Sequence, residues 1–404
     1  MSEPLVVIGN GMAATRLVEE LSAQALGRYA IAVIGEESRL AYNRVLLSSV
    51  LAGEACSGEI ELKPARWWRD GGVTVRYGVP AASVDVAART VMLADGTLLS
   101  FSRLVFATGS KPLRLPLPGA DLDGVLTFRD VTDIDAMSAA VRRGRKVVVI
   151  GGGLLGLEAA YGMARCGADV TVLHLMDRLM ERQLDAHAAA MLKAAVERKG
   201  IHVVLKADTE RFVGDYRVEG VALKDGRTIA ADTVIVAAGI TPNTALARAA
   251  GLTVGRGIVV DDRLETSAPG IHAIGECAEH RGLCYGLVEP AYEQARVLAR
   301  HLAGKGAAYS GSMLATNLKV SGVQVFSAGD FLGAGGSECV TFSDAGLGTY
   351  KKLVIADGRL SGAVLFGDTA DGLWYHDLIR KAAPVESFRD YLIFGRALAE
   401  RMAA

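Results

Sequence analysis

Two glycine-rich turns, each following a short β-branched run, constrain the chain more than any other feature. The first is Val6-Val7-Ile8-Gly9-Asn10-Gly11-Met12-Ala13-Ala14, and the second is Val147-Val148-Val149-Ile150-Gly151-Gly152-Gly153-Leu154-Leu155-Gly156. Each run predicts a buried strand that turns at once into an apolar helix, the setting in which a glycine pattern cradles a phosphate. Gly9 and Gly151 permit the tight turn. Gly11 and Gly153 have no Cβ, so backbone amides at the positive helix N-terminus can approach a pyrophosphate. Ala14 and Gly156 keep helix and strand close. One such pattern also serves ordinary turns; two in one chain imply two dinucleotide sites.

The flanking segments repeat as whole units. Residues 5–8 and 31–34 predict parallel strands joined by a helix over residues 13–26, with Glu36 placed to meet a ribose. Ala94-Asp95-Gly96 predicts a hairpin between strands at 90–93 and 98–101, followed by a buried strand at 104–107. The second half copies this order: strand 146–150, helix 154–165, strand 168–173 and an Ala-rich helix 185–199 that stops at Gly200. A hairpin at Lys224-Asp225-Gly226 and a strand at 233–237 complete the copy. From Tyr309 the composition shifts to Gly, Ser and alternating strands, with a turn at Asp357-Gly358, strands at 353–355 and 360–366, and a helix after Thr369. The expected fold class is α/β, with two Rossmann-like dinucleotide-binding domains plus a small C-terminal α+β domain.

Composition narrows the partners. A length of 404 residues suits two or three domains. A net charge of -1 gives no broad field for nucleic acid or an anionic membrane, so neither is an expected partner. Five cysteines (Cys56, Cys166, Cys277, Cys284 and Cys339) include no Cys-x-x-Cys pair and suit a reducing compartment. No signal peptide or run of roughly 20 apolar residues is visible, which predicts a cytoplasmic protein. His280 beside Cys277 and Cys284 fits no zinc spacing, and no metal site is expected. The pair Trp67-Trp68 reads as partial core, and the run from Arg142 to Lys146 as a solvated helix end.

Three further segments complete an ordered set. Ala107-Thr108-Gly109-Ser110 and Ala237-Ala238-Gly239-Ile240-Thr241-Pro242 close strands with small residues, and Ala273-Ile274-Gly275-Glu276 ends a strand in Gly followed by an acid. Taken with the two fingerprints, this order resembles the two-dinucleotide flavoprotein superfamily, which includes glutathione reductase and the ferredoxin reductases. The resemblance covers nearly the whole chain. It implies a glutathione-reductase-like arrangement with an FAD-binding domain at 1–118 and 245–308, an NAD(P)H-binding domain at 119–244 and a C-terminal domain at 309–404. It assigns Gly9, Gly11, Ala14, Glu36, Thr108, Gly109, Gly275 and Glu276 to FAD, and Gly151, Gly153, Gly156 and Gly239 to NADH or NADPH.

Within the superfamily four longer segments carry a narrower resemblance. They are residues 41–54, opening Ala41-Tyr42-Asn43-Arg44; residues 174–185, opening His174-Leu175-Met176-Asp177-Arg178; residues 275–282; and Leu318-Lys319-Val320-Ser321-Gly322-Val323. These are similar to the N-terminal flavoprotein part of assimilatory NAD(P)H nitrite reductase and to stand-alone electron-transfer subunits of nitrate and nitrite assimilation. Disulfide reductases of this fold carry a cysteine pair shortly after the first ribose acid, where this chain has Tyr42-Asn43-Arg44. Oxygenase-serving ferredoxin reductases have a lysine where Ser49 stands. The resemblance places Arg44 along FAD, Ala81 as a backbone contact to adenine, and Glu158 near the nicotinamide as its positioning residue. It makes Pro290 the start of a helix aimed at the flavin. His174 and Arg178 stand where a ribose acid would mark NADH; they could tolerate a 2′-phosphate, and the choice of NADH or NADPH stays open with a lean to NADH.

The implied activity is FAD-dependent NAD(P)H oxidoreduction, with electrons passed to an iron–sulfur, haem or molybdenum redox protein, a nitrate or nitrite reductase subunit. The cofactor carries the chemistry, so no side-chain acid or nucleophile is required. Because the cysteine-rich iron–sulfur module and sirohaem domain of the larger nitrite reductases are absent from the sequence, nitrite reduction itself is expected on another polypeptide. A rubredoxin- or ferredoxin-type reductase, an NADH oxidase, and a non-enzymatic flavin-binding redox sensor remain as alternatives.

Overall fold

The computed structural model describes residues 2–320 and 322–403, without the side chains of 317–320 and 403. Ser321 and the side chains of Leu318, Lys319 and Val320 in the fourth resemblance segment therefore lie outside the described residues. The chain forms two compact units. One comprises residues 1–50, 55–113 and 239–312, and the other residues 51–54, 114–238 and 313–404.

The first unit is built on a five-stranded sheet in the order Ile271–Ala273, Arg103–Phe106, Glu3–Ile8, Tyr29–Gly35, Thr74–Tyr77. Every pairing in it is parallel. Parallel strands covered on both faces read as unbroken apolar runs, and residues 5–8 are at most 5% exposed. Helices Met12–Gln24 and Val288–Leu302 pack on this sheet through Leu17, Leu21, Ala295 and Leu298. The Asp95-Gly96 hairpin joins Thr90–Leu93 to Leu98–Ser100 in a three-stranded antiparallel meander with Ala81–Asp85. Trp68 is buried in this core with Trp67 edge-on at 5.0 Å.

The second unit repeats the plan. Its five-stranded parallel sheet runs Val125–Thr127, Thr233–Val236, Lys146–Ile150, Asp169–His174, Ile201–Leu205, with a meander of Thr209–Val213, Gly220–Leu223 and Thr228–Ala230. Helix Ala186–Glu197 is followed by Gly200 at φ +80°, the left-handed residue expected there. The C-terminal part of this unit is a five-stranded antiparallel sheet whose centre is the hairpin Thr349–Ala356 and Arg359–Phe366, turning at Asp357-Gly358. Helix Gly372–Lys381 closes that sheet with Tyr375 and Ile379 over Phe326 and Leu365, a core of its own. The Tyr350 hydroxyl donates to Asp185 Oδ2 at 2.8 Å, while Asp185 Oδ1 caps helix Ala186–Glu197.

One buried base makes the first unit sensitive to acid. His272, on strand Ile271–Ala273, is 1% exposed, and burial lowers its pKa to about 4, opposed by nearby Glu265 and aided by His301 and Arg103. A base with a depressed folded-state pKa contributes stability above its unfolded value of about 6.5, and that stability is lost as pH falls from there toward 4. Thermal midpoints of wild type and His272→Leu across that range should diverge, the wild type losing about 2–3 kcal/mol that the variant keeps.

Candidate functional site

At each fingerprint the first glycine is compelled by a crossing carbonyl. Gly9 has φ +119°, and a Cβ there would lie 2.0 Å from Ala107 O; Gly151 has φ +122°, and its Cβ would lie 2.3 Å from Ala237 O. No other residue type fits such a close backbone crossing. Gly156 is similarly compelled, 2.0 Å from Gly151 O. The third residues of the two turns behave differently. A Cβ on Gly11 or Gly153 would meet nothing within 4 Å, so packing does not require glycine there. Each of them is the N-cap of its helix, in extended backbone, with no side-chain cap on the first turn's amides. An open approach to uncapped helix amides is what a pyrophosphate needs.

In the first unit a second helix end joins the first. Gly275 lies between Ala13 and Ala291, at 3.2 Å and 3.9 Å from where its Cβ would stand, and so between the first turns of helices Met12–Gln24 and Val288–Leu302. Its amide donates to Gln294 Oε1 at 2.7 Å, and Gln294 is 1% exposed. Two positive helix ends meeting beside one glycine suit an anionic group and fit the FAD expected here. Pro290 does not open its helix as expected. Leu287 is the N-cap and Pro290 the third helical residue, tolerated because the first four amides have no intrahelical partner. Glu276 accepts from Ser110 Oγ at 2.7 Å. Thr108 Oγ donates to Asn243 O at 2.7 Å and Asn243 N to Gly109 O at 2.9 Å, lacing the two small-residue strand exits together.

Glu36 follows strand Tyr29–Gly35 and is exposed, as a ribose ligand requires. Arg44 is paired with its neighbour Glu37, which also accepts from the Tyr42 hydroxyl at 2.6 Å; the Arg44 guanidinium lies 5.0 Å over the Tyr42 ring. The expected role of Arg44 along FAD is thus joined to an acid that the sequence reading passed over. Ala81 is positioned by its predecessors, Val79 N donating to Gly35 O at 3.2 Å and Ala94 N to Pro80 O at 2.9 Å. A cavity of about 410 Å³ is lined by Lys111, Thr241, Asn243, Thr244 and Arg248 and contains no fingerprint glycine.

In the second unit helix Leu154–Arg165 starts four residues before Glu158, which lies one turn inside it. His174 is 7% exposed, with Nδ1 accepting from Gly152 N at 3.0 Å and Nε2 3.2 Å from Glu181 Oε2. The ring lies under the glycine turn and props it. Arg178 pairs with Asp177 at 3.1 Å. Gly239 belongs to the first unit, where its carbonyl accepts from Leu113 N at 2.9 Å; the residue that meets Gly151 is Ala237.

All five cysteines are free. Burial pushes the Cys277 thiol up, and its Sγ donates to Phe106 O and Ile274 O, the behaviour of an inert core thiol. Among the described residues no cluster of three or more His, Cys, Asp or Glu is arranged for a metal, and no helix is long and apolar enough to cross a membrane.

Two Rossmann-type sheets with duplicated glycine cradles and a C-terminal antiparallel sheet define a two-dinucleotide oxidoreductase. The chain belongs to the pyridine nucleotide-disulphide oxidoreductase family, whose model matches residues 3–301, and is an FAD-dependent NAD(P)H oxidoreductase. Residues 315–383 match the rubredoxin NAD+ reductase C-terminal domain. The chain is 46% identical to nitrite reductase [NAD(P)H] of Bacillus subtilis (strain 168), over 94% of this chain and 48% of that protein. It is 42% identical to the assimilatory nitrate reductase electron transfer subunit of the same organism, over 91% of this chain and 48% of that one. The chain thus spans about half the length of these relatives. The ferredoxin reductase for the CYP199A2 system from Rhodopseudomonas palustris superposes with a TM-score of 0.85 at 27% identity, covering 100% of this chain and 98% of that one.

The glycines separate folding from binding. Gly9→Ala should cost about 3 kcal/mol or more and reduce soluble yield, because the added methyl meets a backbone carbonyl. Gly11→Ala should fold with an unchanged thermal midpoint when stripped of cofactor, yet hold FAD about tenfold or more weakly, as measured by flavin release on dialysis. Gly153→Ala should keep its flavin and lose affinity for the nicotinamide dinucleotide alone.

Proposed function

We propose that the chain is the reductase part of an electron-transfer system of nitrate or nitrite assimilation. It takes reducing equivalents from NADH or NADPH and delivers them to an iron–sulfur, haem or molybdenum redox protein, a nitrate or nitrite reductase subunit, in the cytoplasm. The observation that carries this reading is the duplicated cradle, with an open Gly11 and an open Gly153 each beside a compelled glycine. The names of the two B. subtilis relatives support the acceptor.

The proposed division is FAD binding by 1–118 and 245–308, nicotinamide-dinucleotide binding by 119–244, and a C-terminal domain at 309–404. The separate core around Phe326, Leu365 and Tyr375 supports the third of these. Amides following Gly11 receive the pyrophosphate of FAD, with Gly9 and Ala14 shaping the turn, Glu36 meeting the ribose, and Ala81 lending backbone to the adenine. Arg44 is fixed by Glu37 at the same edge. Thr108, Gly109, Gly275, Glu276 and the Pro290 helix end surround the rest. Gly151, Gly153 and Gly156 perform the corresponding task for the donor, with Glu158 positioning the nicotinamide. FAD, when bound, supplies the hydride-accepting and single-electron chemistry. The chain's own residues hold and orient, and the buried Cys277 thiol takes no part.

A second reading, a rubredoxin- or ferredoxin-type reductase, is favoured by the C-terminal domain match and by the full-length superposition on a ferredoxin reductase. Anaerobic stopped-flow mixing of the yellow protein with NADH and NADPH should bleach it rapidly, and reoxidation by nitrate- or nitrite-reducing subunits should outpace reoxidation by rubredoxin, ferredoxin or air. Faster reoxidation by rubredoxin or ferredoxin would select the second reading, and by air an oxidase. No bleaching with either nucleotide would leave a flavin-binding redox sensor.

A further inference from the structure

The two halves are alike enough to be laid over each other residue by residue. Ile8 pairs with Ile34 and Gly9 N donates to Ile34 O, while Ile150 pairs with Leu173 and Gly151 N donates to Leu173 O. Gly35 therefore corresponds to His174, and Glu36, the expected ribose acid of the first half, corresponds to Leu175. Leu175 is 60% exposed and has no polar side-chain atom. The second half thus lacks the acid that a dinucleotide site places at this strand end.

A carboxylate is supplied from the following loop instead. Met180 N donates to Gly152 O at 3.0 Å, folding residues 175–180 back over the glycine turn. His174 Nδ1 accepts from Gly152 N at 3.0 Å, so that nitrogen is bare and the ring hydrogen sits on Nε2. Nε2 then donates to Glu181 Oε2 at 3.2 Å. Glu181 is consequently tethered, through one ring, to the middle glycine of the fingerprint. Its other oxygen is 3.7 Å from Arg182, a side chain 86% exposed and therefore a solvated partner. The neighbouring acid Asp177 is 58% exposed and paired with Arg178. Glu181 is 22% exposed, sheltered but open enough to receive a ligand.

We propose that Glu181, held by His174, is the acid that accepts the adenosine-ribose hydroxyls of the donor and makes NADH the favoured nucleotide over NADPH. This rests on reading the second fingerprint as the donor site. A fixed carboxylate accepts hydrogen bonds from a vicinal diol and repels a 2′-phosphate at the same place. The opposing feature is Arg178, whose Nε is buried without a hydrogen-bond partner and would suit that phosphate.

The test is calorimetric titration of the flavin-loaded protein with NAD+ and with NADP+, which involves binding and no turnover. Wild type should prefer NAD+. Glu181→Ala should lose about tenfold or more of its NAD+ affinity while holding NADP+ as well as or better than wild type. Glu181→Gln, which keeps an acceptor for His174 but not the charge, should shift the NAD+/NADP+ ratio in the same direction. Arg178→Ala should weaken NADP+ binding, because its guanidinium is the group placed to meet a 2′-phosphate. An unchanged ratio in both Glu181 variants overturns the proposal, as does a wild type that prefers NADP+ and loses it in Arg178→Ala. Failure of wild type to bind either nucleotide would overturn the donor-site reading itself, an outcome distinct from an unchanged ratio.

Discussion

A backbone carbonyl crossing a glycine is the contact on which the rest of the molecule depends. In each half the strand exit passes so near the first fingerprint glycine, Ala107 over Gly9 and Ala237 over Gly151, that a single methyl group has no room. That crossing brings the neighbouring strand's end beside the turn and aligns the helix that follows, with its first amides facing outward. Two residues on in each turn, Gly11 and Gly153 face open space. Such a crossing is a packing constraint first and a ligand feature second, which is why both halves keep it while their surroundings differ.

What differs is the second layer. In the first unit Ser110 is hydrogen-bonded to Glu276 and Thr108 to Asn243 across more than a hundred residues of chain, while Gly275 is held by Gln294 from the helix that follows it. The second unit has a shorter arrangement, a single imidazole that takes an amide from the turn and gives a hydrogen to a loop carboxylate. The first turn is thus framed by several segments and the second by one loop.

The strand-turn-helix units, the three Asp-Gly hairpins and the duplication were legible in the sequence because each is local: alternating or continuous apolar runs, turn residues and a glycine at fixed spacing. The contacts that finish the sites were not. Glu37 carries no sequence signal beside Glu36, because its role comes from Tyr42 and Arg44 converging on it in the fold. Asn243, directly after Pro242, carried no periodic signal, and its role comes from meeting Gly109 far away in the chain. His174 was singled out for its place at a strand end, but its burial depends on Gly152 leaving room beneath it, a relation between residues 22 apart that spacing alone does not show. Pro290 was assigned to a helix start that lies two residues earlier in the structure, at Val288.

The middle residues of the fingerprints hold a transposition of bulk. In the first half Asn10 stands against Gly35, where an added Cβ would come within 2.7 Å; in the second, Gly152 stands against His174, at 2.6 Å. The large and small partners have changed sides. Replacing either residue by its counterpart from the other half would crowd the turn or hollow it, and only a paired exchange conserves volume. The two halves are therefore separated by a coupled step, and a chimera that grafts one turn without the end of the next strand would inherit the mismatch.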